Sequence, residues 1–277
     1  MLTQGFIQRA FIIGVIVAFL SSVLSVFIVL KRISLIGDGL AHTAFGGLAL
    51  GYYLDIVPLW VAGVIVILGS IGITRVTRSS KISGDAAVAI FLQLGLASGI
   101  VLLSLSRGFG ISLESLLFGS ILLVSVDQII SATVILAITL VLVFTFFKEL
   151  VYTTFDEKQA KASGIKTWFF DYLVSVLAGL AIIVSIPIVG VLLISAMLVL
   201  PAVTSTQVSN SFRQTVILAP IFGLVSVILG LFASILLDTA SGATIVLVGL
   251  AIFLVSVTVK RVSIAKRYQA PGSGIRA

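Results

Sequence analysis

Asp38 and His42 are the two residues whose types and spacing could do chemistry. They lie in the run Ile36-Gly37-Asp38-Gly39-Leu40-Ala41-His42-Thr43-Ala44-Phe45-Gly46-Gly47. In a helix of 3.6 residues per turn, positions four apart stand one above the other. A carboxylate and an imidazole stacked in this way form half of a metal site or a proton relay. His42 is the only histidine in 277 residues. It sits in an apolar segment, where an ionisable side chain is expensive and functional by default. The competing reading is a histidine that merely hydrogen-bonds a neighbouring helix, and the carboxylate at i−4 weighs against it. Two ligands hold a metal poorly, so further donors must come from another helix, from backbone carbonyls or from water.

The elements that position this pair are membrane helices. The chain is 60% hydrophobic and 10% charged, far below the roughly 25% charged residues of soluble domains. Residues 10–30, 56–74, 86–106, 128–147, 172–212, 214–237 and 239–259 contain no Asp, Glu, Lys or Arg. About 20 apolar residues cross the hydrocarbon of a bilayer. The 41 residues of 172–212 suffice for two crossings, broken near Ile186-Pro187-Ile188-Val189-Gly190, and 33–54 adds the crossing that carries Asp38 and His42. The expected fold is an all-α integral membrane protein, a polytopic bundle of eight to nine transmembrane helices. A barrel would alternate in polarity instead. The first apolar stretch lacks a basic leader and a small-residue cleavage pattern, so it is expected to be a retained helix.

The net charge of +7 is distributed as in a membrane protein, not a nucleic-acid binder. Threading nine spans puts fifteen of the 17 Lys and Arg on one side. They cluster at Lys31-Arg32, at Arg75, Arg78 and Lys81, along 148–166, at Arg213, and after Lys260. Only Arg9 and Arg107 fall on the other side. Positive residues favour the cytoplasm, which puts the C-terminus inside. An eight-span threading would move the N-terminus inside as well. With no cysteines, disulfides and thiolate ligands are excluded.

Three further patterns concern packing and connection. Gly39, Thr43, Gly47 and Gly51 recur every four residues beside the Asp38/His42 face, a spacing that lets another helix approach closely. Between 148 and 167, Asp156 can cap a helix with Gln159 at the reciprocal position, and Gly164 can end it. That helix is either a solvated connector or a docking element for a cytoplasmic partner. Pro201 within its apolar run is expected to kink a helix and free a carbonyl. No phosphate-binding G-x-x-x-x-G-K-[ST] occurs, one histidine excludes a His-Glu-x-x-His site, and there is no G-x-S-x-G elbow. The chain shows no enzyme active site, so any ATP must be hydrolysed by another chain.

The residues resemble the ABC-3 family, the membrane permeases of bacterial zinc and manganese ABC importers. Lys31-Arg32 followed by Gly37-Asp38 and His42 is similar to the family's basic pair and Gly-Asp-x-x-x-His. Phe155-Asp156, Ala160 and Ser163-Gly164 are similar to its F-D-x-x-x-A-x-x-S-G element. Val189-Gly190-Val191-Leu192-Leu193 through Leu200-Pro201-Ala202 resembles its V-G-x-L-L…P-A helix, and Asp238 with Ser241-Gly242-Ala243-Thr244 its last interhelical turn. The resemblance implies a single transmembrane permease domain over 1–277, with a coupling helix at 155–164 and a basic cytoplasmic tail at 260–277. It implies a location in the bacterial cell membrane and a second copy of the permease. A dimer of cytoplasmic ATPase subunits and an extracytoplasmic metal-binding lipoprotein are implied as partners. Asp38 and His42 would handle the transported Zn²⁺ or Mn²⁺, with no permanently bound cofactor. Phe155, Asp156, Ala160 and Gly164 would couple to the ATPase. Gly39-Leu40-Ala41-His42 with Phe45-Gly46-Gly47 looks like the zinc branch, so zinc is the expected substrate and manganese the alternative. A proton-coupled secondary carrier or a non-transporting scaffold are the other classes. The first would show inverted repeats, which are absent, and the second has no use for a buried Asp/His pair.

Overall fold

A computed structural model of the chain describes residues 5–79, 82–105 and 125–269. Lys81, Arg107 and the Pro271–Gly274 end of the tail lie outside the described residues. Eleven helices follow one another, with no strand among the described residues: α1 Gly5–Leu30, α2 Ile36–Tyr53, α3 Pro58–Ser79, α4 Gly84–Leu105, α5 Val126–Thr145, α6 Phe147–Phe155, α7 Glu157–Ala162, α8 Thr167–Met197, α9 Leu200–Val208, α10 Phe212–Leu237 and α11 Ser241–Gln269.

Seven of these are long and apolar enough to cross a membrane: α1, α3, α4, α5, α8, α10 and α11. The expected eight to nine are therefore not reached on length and composition, for two local reasons. α2 has only 18 residues and spends several of them on glycine, Asp38 and His42. The second half of 172–212 contributes only a shorter apolar helix, Leu193–Val208.

The break expected near Gly190 is present. α8 is interrupted there by a glycine at φ 78°, a left-handed conformation open to glycine at little cost. Pro201, in contrast, does not kink a helix. It occupies the first turn of α9, after the chain leaves helical geometry at Val199 (φ −126°). Proline is at home in that turn because the first N–H groups of a helix have no partner to lose.

The core has two centres. Around α1, Ile13, Leu20, Leu24 and Phe27 are fully buried, and α10, α8 and α5 pack on that helix. Around α2, the neighbours are α4, α3 and α8. The outer helices turn apolar side chains outward, among them Trp60, Leu94 and Phe144, as a lipid-facing surface requires.

Glycine decides how close α2 sits to its neighbours. A Cβ on Gly47 would lie 2.6 Å from Ala62 Cα of α3, and one on Gly51 would lie 2.5 Å from Pro58 Cα. Gly39 faces Val88 of α4 in the same way, and Thr43 lies against Gly69 and Gly95. All four stripe residues are buried.

Candidate functional site

α2 shows why Asp38 and His42 are set apart. Twelve of its 18 residues are buried, and the glycine side is covered by α3 and α4. Asp38 and His42 are only half-buried, and they line one cleft of about 570 Å³. The same-face placement read from the four-residue spacing is what the helix provides. Asp38 falls in the first turn of α2, where the free N–H groups and the helix dipole favour a carboxylate.

Opposite them the cleft is walled by the end of α8 (Ser195, Ala196), by Val199 and Leu200, and by Val246 and Leu250 of α11. Ser34 joins Asp38 and His42 on the α2 side. It is one further step of four in the same register, a signal present in the sequence. Ser195 is brought in by the broken path of α8 and has no such signal. α2 approaches that wall closely at Gly37, where a Cβ would lie 3.3 Å from Ser195 Cα.

No hydrogen bond or ion pair joins the Asp38 carboxylate or the His42 imidazole to another described residue. No group of three or more His, Cys, Asp or Glu that could hold a metal occurs among the described residues. The cleft thus offers one imidazole and one carboxylate, and hydroxyls of Ser34 and Ser195, in an otherwise apolar wall. Imidazole suits the later first-row metals and carboxylate the harder ones.

A second constellation surrounds the short helix α7. Asp156 caps it, its Oδ1 accepting from the Gln159 N–H at 2.9 Å. The Asp156 N–H itself donates to Tyr152 O, so Gln159 does not act as the reciprocal cap. The helix ends in a Schellman turn. Ile165 N–H donates to Ala160 O and Gly164 N–H to Lys161 O, each at 3.0 Å, with Gly164 at φ 83°. Ala160 is fully buried beneath it, while Phe155 is 62% exposed with its ring edge against Phe212. The Glu157 carboxyl is held below its ordinary value, chiefly by the hydrogen bond from Lys161, with burial opposing and Thr167 and Arg78 assisting.

The sequence pattern of the ABC 3 transport family matches residues 3–260. The chain belongs to the ABC 3 transport family. It is an all-helical, multi-pass membrane protein of that family. The manganese transport system membrane protein MntC of Listeria innocua is 33% identical over 256 residues, covering 92% of this chain and 91% of that one. The manganese import system permease protein ScaB of Streptococcus gordonii is 36% identical over 252 residues, covering 91% and 90%. Among solved structures, PsaBC from Streptococcus pneumoniae in complex with Fab superposes with a TM-score of 0.80 at 35% identity, covering 92% of this chain and 91% of that one. An inward-facing metal-chelate type ABC transporter shares the fold at 18% identity, with a TM-score of 0.68. The names of MntC and ScaB carry manganese, so the zinc reading of Gly39-Leu40-Ala41-His42 and Phe45-Gly46-Gly47 draws no support from them.

Proposed function

We propose that the chain is the membrane-spanning permease subunit of an ATP-binding cassette importer for manganese. It would work as a homodimer with two cytoplasmic ATPase subunits, and receive the ion from an extracytoplasmic metal-binding lipoprotein. The observation that carries this reading is the cleft: an unpaired Asp38 and His42, stacked on one helix, in a chain of the ABC 3 transport family. An ionisable pair half-open to one side of a membrane bundle is untenable against lipid. A second copy facing the first across a two-fold axis would cover it and supply a second carboxylate and imidazole. Two oxygen and two nitrogen donors completed by water can accept either Mn²⁺ or Zn²⁺, and a site with few protein ligands releases its ion readily. Manganese is preferred to zinc on the relatives' names.

In this reading α2 and the Leu193–Val208 segment cross the membrane together with the seven long helices, giving nine crossings with the C-terminus in the cytoplasm. The domain is the single permease domain 1–277. The element Phe155, Asp156, Ala160 and Gly164 is its ATPase-coupling contact, and residues 260–277 are a basic cytoplasmic tail. The permease hydrolyses nothing itself. The test is uptake into vesicles holding the permease–ATPase complex with the lipoprotein outside. Mn²⁺ uptake that requires ATP and is poorly matched by Zn²⁺ is expected. Uptake driven by a proton gradient without ATP would point to a secondary carrier, and equal or better Zn²⁺ uptake would restore the zinc reading.

A further inference from the structure

Asp171, near the start of α8, is the meeting point of three helices. Its Oδ1 accepts from Lys31 Nζ at 2.6 Å, at the end of α1, and its Oδ2 accepts from Arg78 near the end of α3. Arg78 Nη1 also lies 3.5 Å from Glu157 Oε1, on α7. Glu157 is held in turn by Lys161 at 2.7 Å and by the Thr167 hydroxyl at 3.2 Å. An ionic chain Lys31–Asp171–Arg78–Glu157 therefore runs from the turn that precedes α2 to the short helix α7.

Three features distinguish this chain from ordinary surface ion pairs. The Lys31 side chain is only 8% exposed. Its partner Asp171 is 24% exposed, so the pair is part-buried, and such a pair is a modest source of stability for which an apolar pair can substitute. The turn from α1 to α2 is closed by its own backbone: Arg32 N–H donates to Val29 O, Ile33 N–H to Ile28 O and Ile36 N–H to Ile33 O. It holds Arg32 at φ 58°, where glycine would sit without strain. These bonds stiffen the short turn that links Lys31 to Ile36, with Asp38 two residues on. Finally, the ion pairs line a cavity of about 970 Å³ between this turn, α3, α6–α7 and α8. On its inner side α3 and α8 are packed through Ile73 and Val174 and bonded by Thr74 and Ser175, while on the side of the α1–α2 turn and α7 the elements meet through the charged groups that line the cavity.

We propose that Asp171 is a positioning residue that couples α7 to the Asp38/His42 cleft through Lys31, Arg78 and Glu157. The proposal rests on the reading of α7 as the ATPase-coupling element. Movement of α7 pulls Glu157 and Arg78, reorients Asp171, and through Lys31 shifts the first turn of α2. The site would then open or close in step with the nucleotide state of the partner.

The test uses the cysteine-free permease with Leu35→Cys, an exposed residue at the start of α2 on the rim of the cleft. In complex with its ATPase, the maleimide labelling rate of this cysteine is compared without nucleotide and with ATP trapped by vanadate. A change of about fivefold or more is expected in the otherwise native complex. Asp171→Asn should abolish it, and Asp171→Glu should restore it. Because Asp171→Asn leaves Lys31 a largely buried charge without its partner, the double variant Lys31→Met/Asp171→Leu separates coupling from folding: it removes both charges and puts apolar side chains beside the cavity in their place. It should fold and retain the ATPase, yet label at one rate in both states. A double variant that responds as the native complex does overturns the proposal, and so does a native complex with no response. A double variant that loses the ATPase overturns it too, by making the network a docking contact. A complex that responds but takes up no Mn²⁺ contradicts the proposed function and leaves the relay standing.

Discussion

Gly95→Ala adds one methyl where α4 crosses α2, and the structure sets how much that methyl must disturb. Its Cβ would lie 2.7 Å from Thr43 Cα and closer still to the His42 carbonyl, against 3.4 Å or more for ordinary contact. The obstructing atoms are backbone, so no side chain can rotate away. α4 must retreat by roughly 0.7 Å or more, at an overpacking cost of about 1–3 kcal/mol. Because the displaced backbone is that of His42, the cleft should be misaligned as well. Gly63→Ala is the matched control. There the nearest atom to a new Cβ is Ile183 Cδ1 at 4.0 Å, and alanine favours the helix by up to about 1 kcal/mol. Thermal unfolding of the purified permease in one detergent compares the two. At about 2–4 °C per kcal/mol, Gly95→Ala should melt several degrees below the native chain and Gly63→Ala at or slightly above it. Mn²⁺ uptake per folded complex should fall for Gly95→Ala only. If Gly95→Ala melts and transports as the native protein does, α2 is not held by close contact with α4, and the positioning of His42 has another cause.

Three other outcomes are expected. Gly164 sits at φ 83° with nothing within 4 Å of a built Cβ. Gly164→Val therefore carries only the left-handed backbone cost of about 1–2 kcal/mol, and ATPase affinity in a pull-down titration should drop while Gly164→Asn stays near native. Equal loss in both would refute the Schellman-turn argument. Ser163→Cys and Thr239→Cys are both exposed; in intact cells an impermeant maleimide should spare the first and label the second, and the reverse would invert the topology. Glu157 is held below its ordinary 4.5. Its contribution to holding α7 is therefore whole above about pH 4.5 and lost as pH falls through the lower folded value. Hydrogen exchange of the Glu157–Ala162 amides, corrected for intrinsic rate, should be unchanged from pH 7 to 5 and rise only below that window; a rise already at pH 6 would contradict the assignment.

Much of this was legible because it is local. Apolar runs of span length, the i,i+4 relation of Asp38 and His42, the Asp156 cap and the Gly164 terminus each follow from a few neighbouring residues. The positions where sequence reasoning went astray depend on distant ones. Pro201 read as a kink because nothing local reveals that α8 stops at Met197. The second pole of the α7 network, Asp171, looks like one more flanking charge until Lys31 and Arg78, 140 and 93 residues away, are brought to it. The Ser195 side of the cleft is likewise a product of tertiary packing. The count of helices long and apolar enough to cross fell short at α2, which gives up apolar length to five glycines and to the half-buried Asp38 and His42. The choice of metal was not legible at all, since one imidazole and one carboxylate accept either ion.

The central claim, that Asp38 and His42 pass the ion through the membrane, is tested most directly by ATP-driven uptake of radioactive Mn²⁺ into vesicles carrying the permease–ATPase complex. Native protein is compared with Asp38→Asn and His42→Ala. Both variants should assemble with the ATPase at native yield and lose transport by about tenfold or more, as expected when the polar groups that a selective site uses to hold its ligand are removed. Uptake by both variants within twofold of native would contradict the account and return His42 to the role of a packed structural histidine.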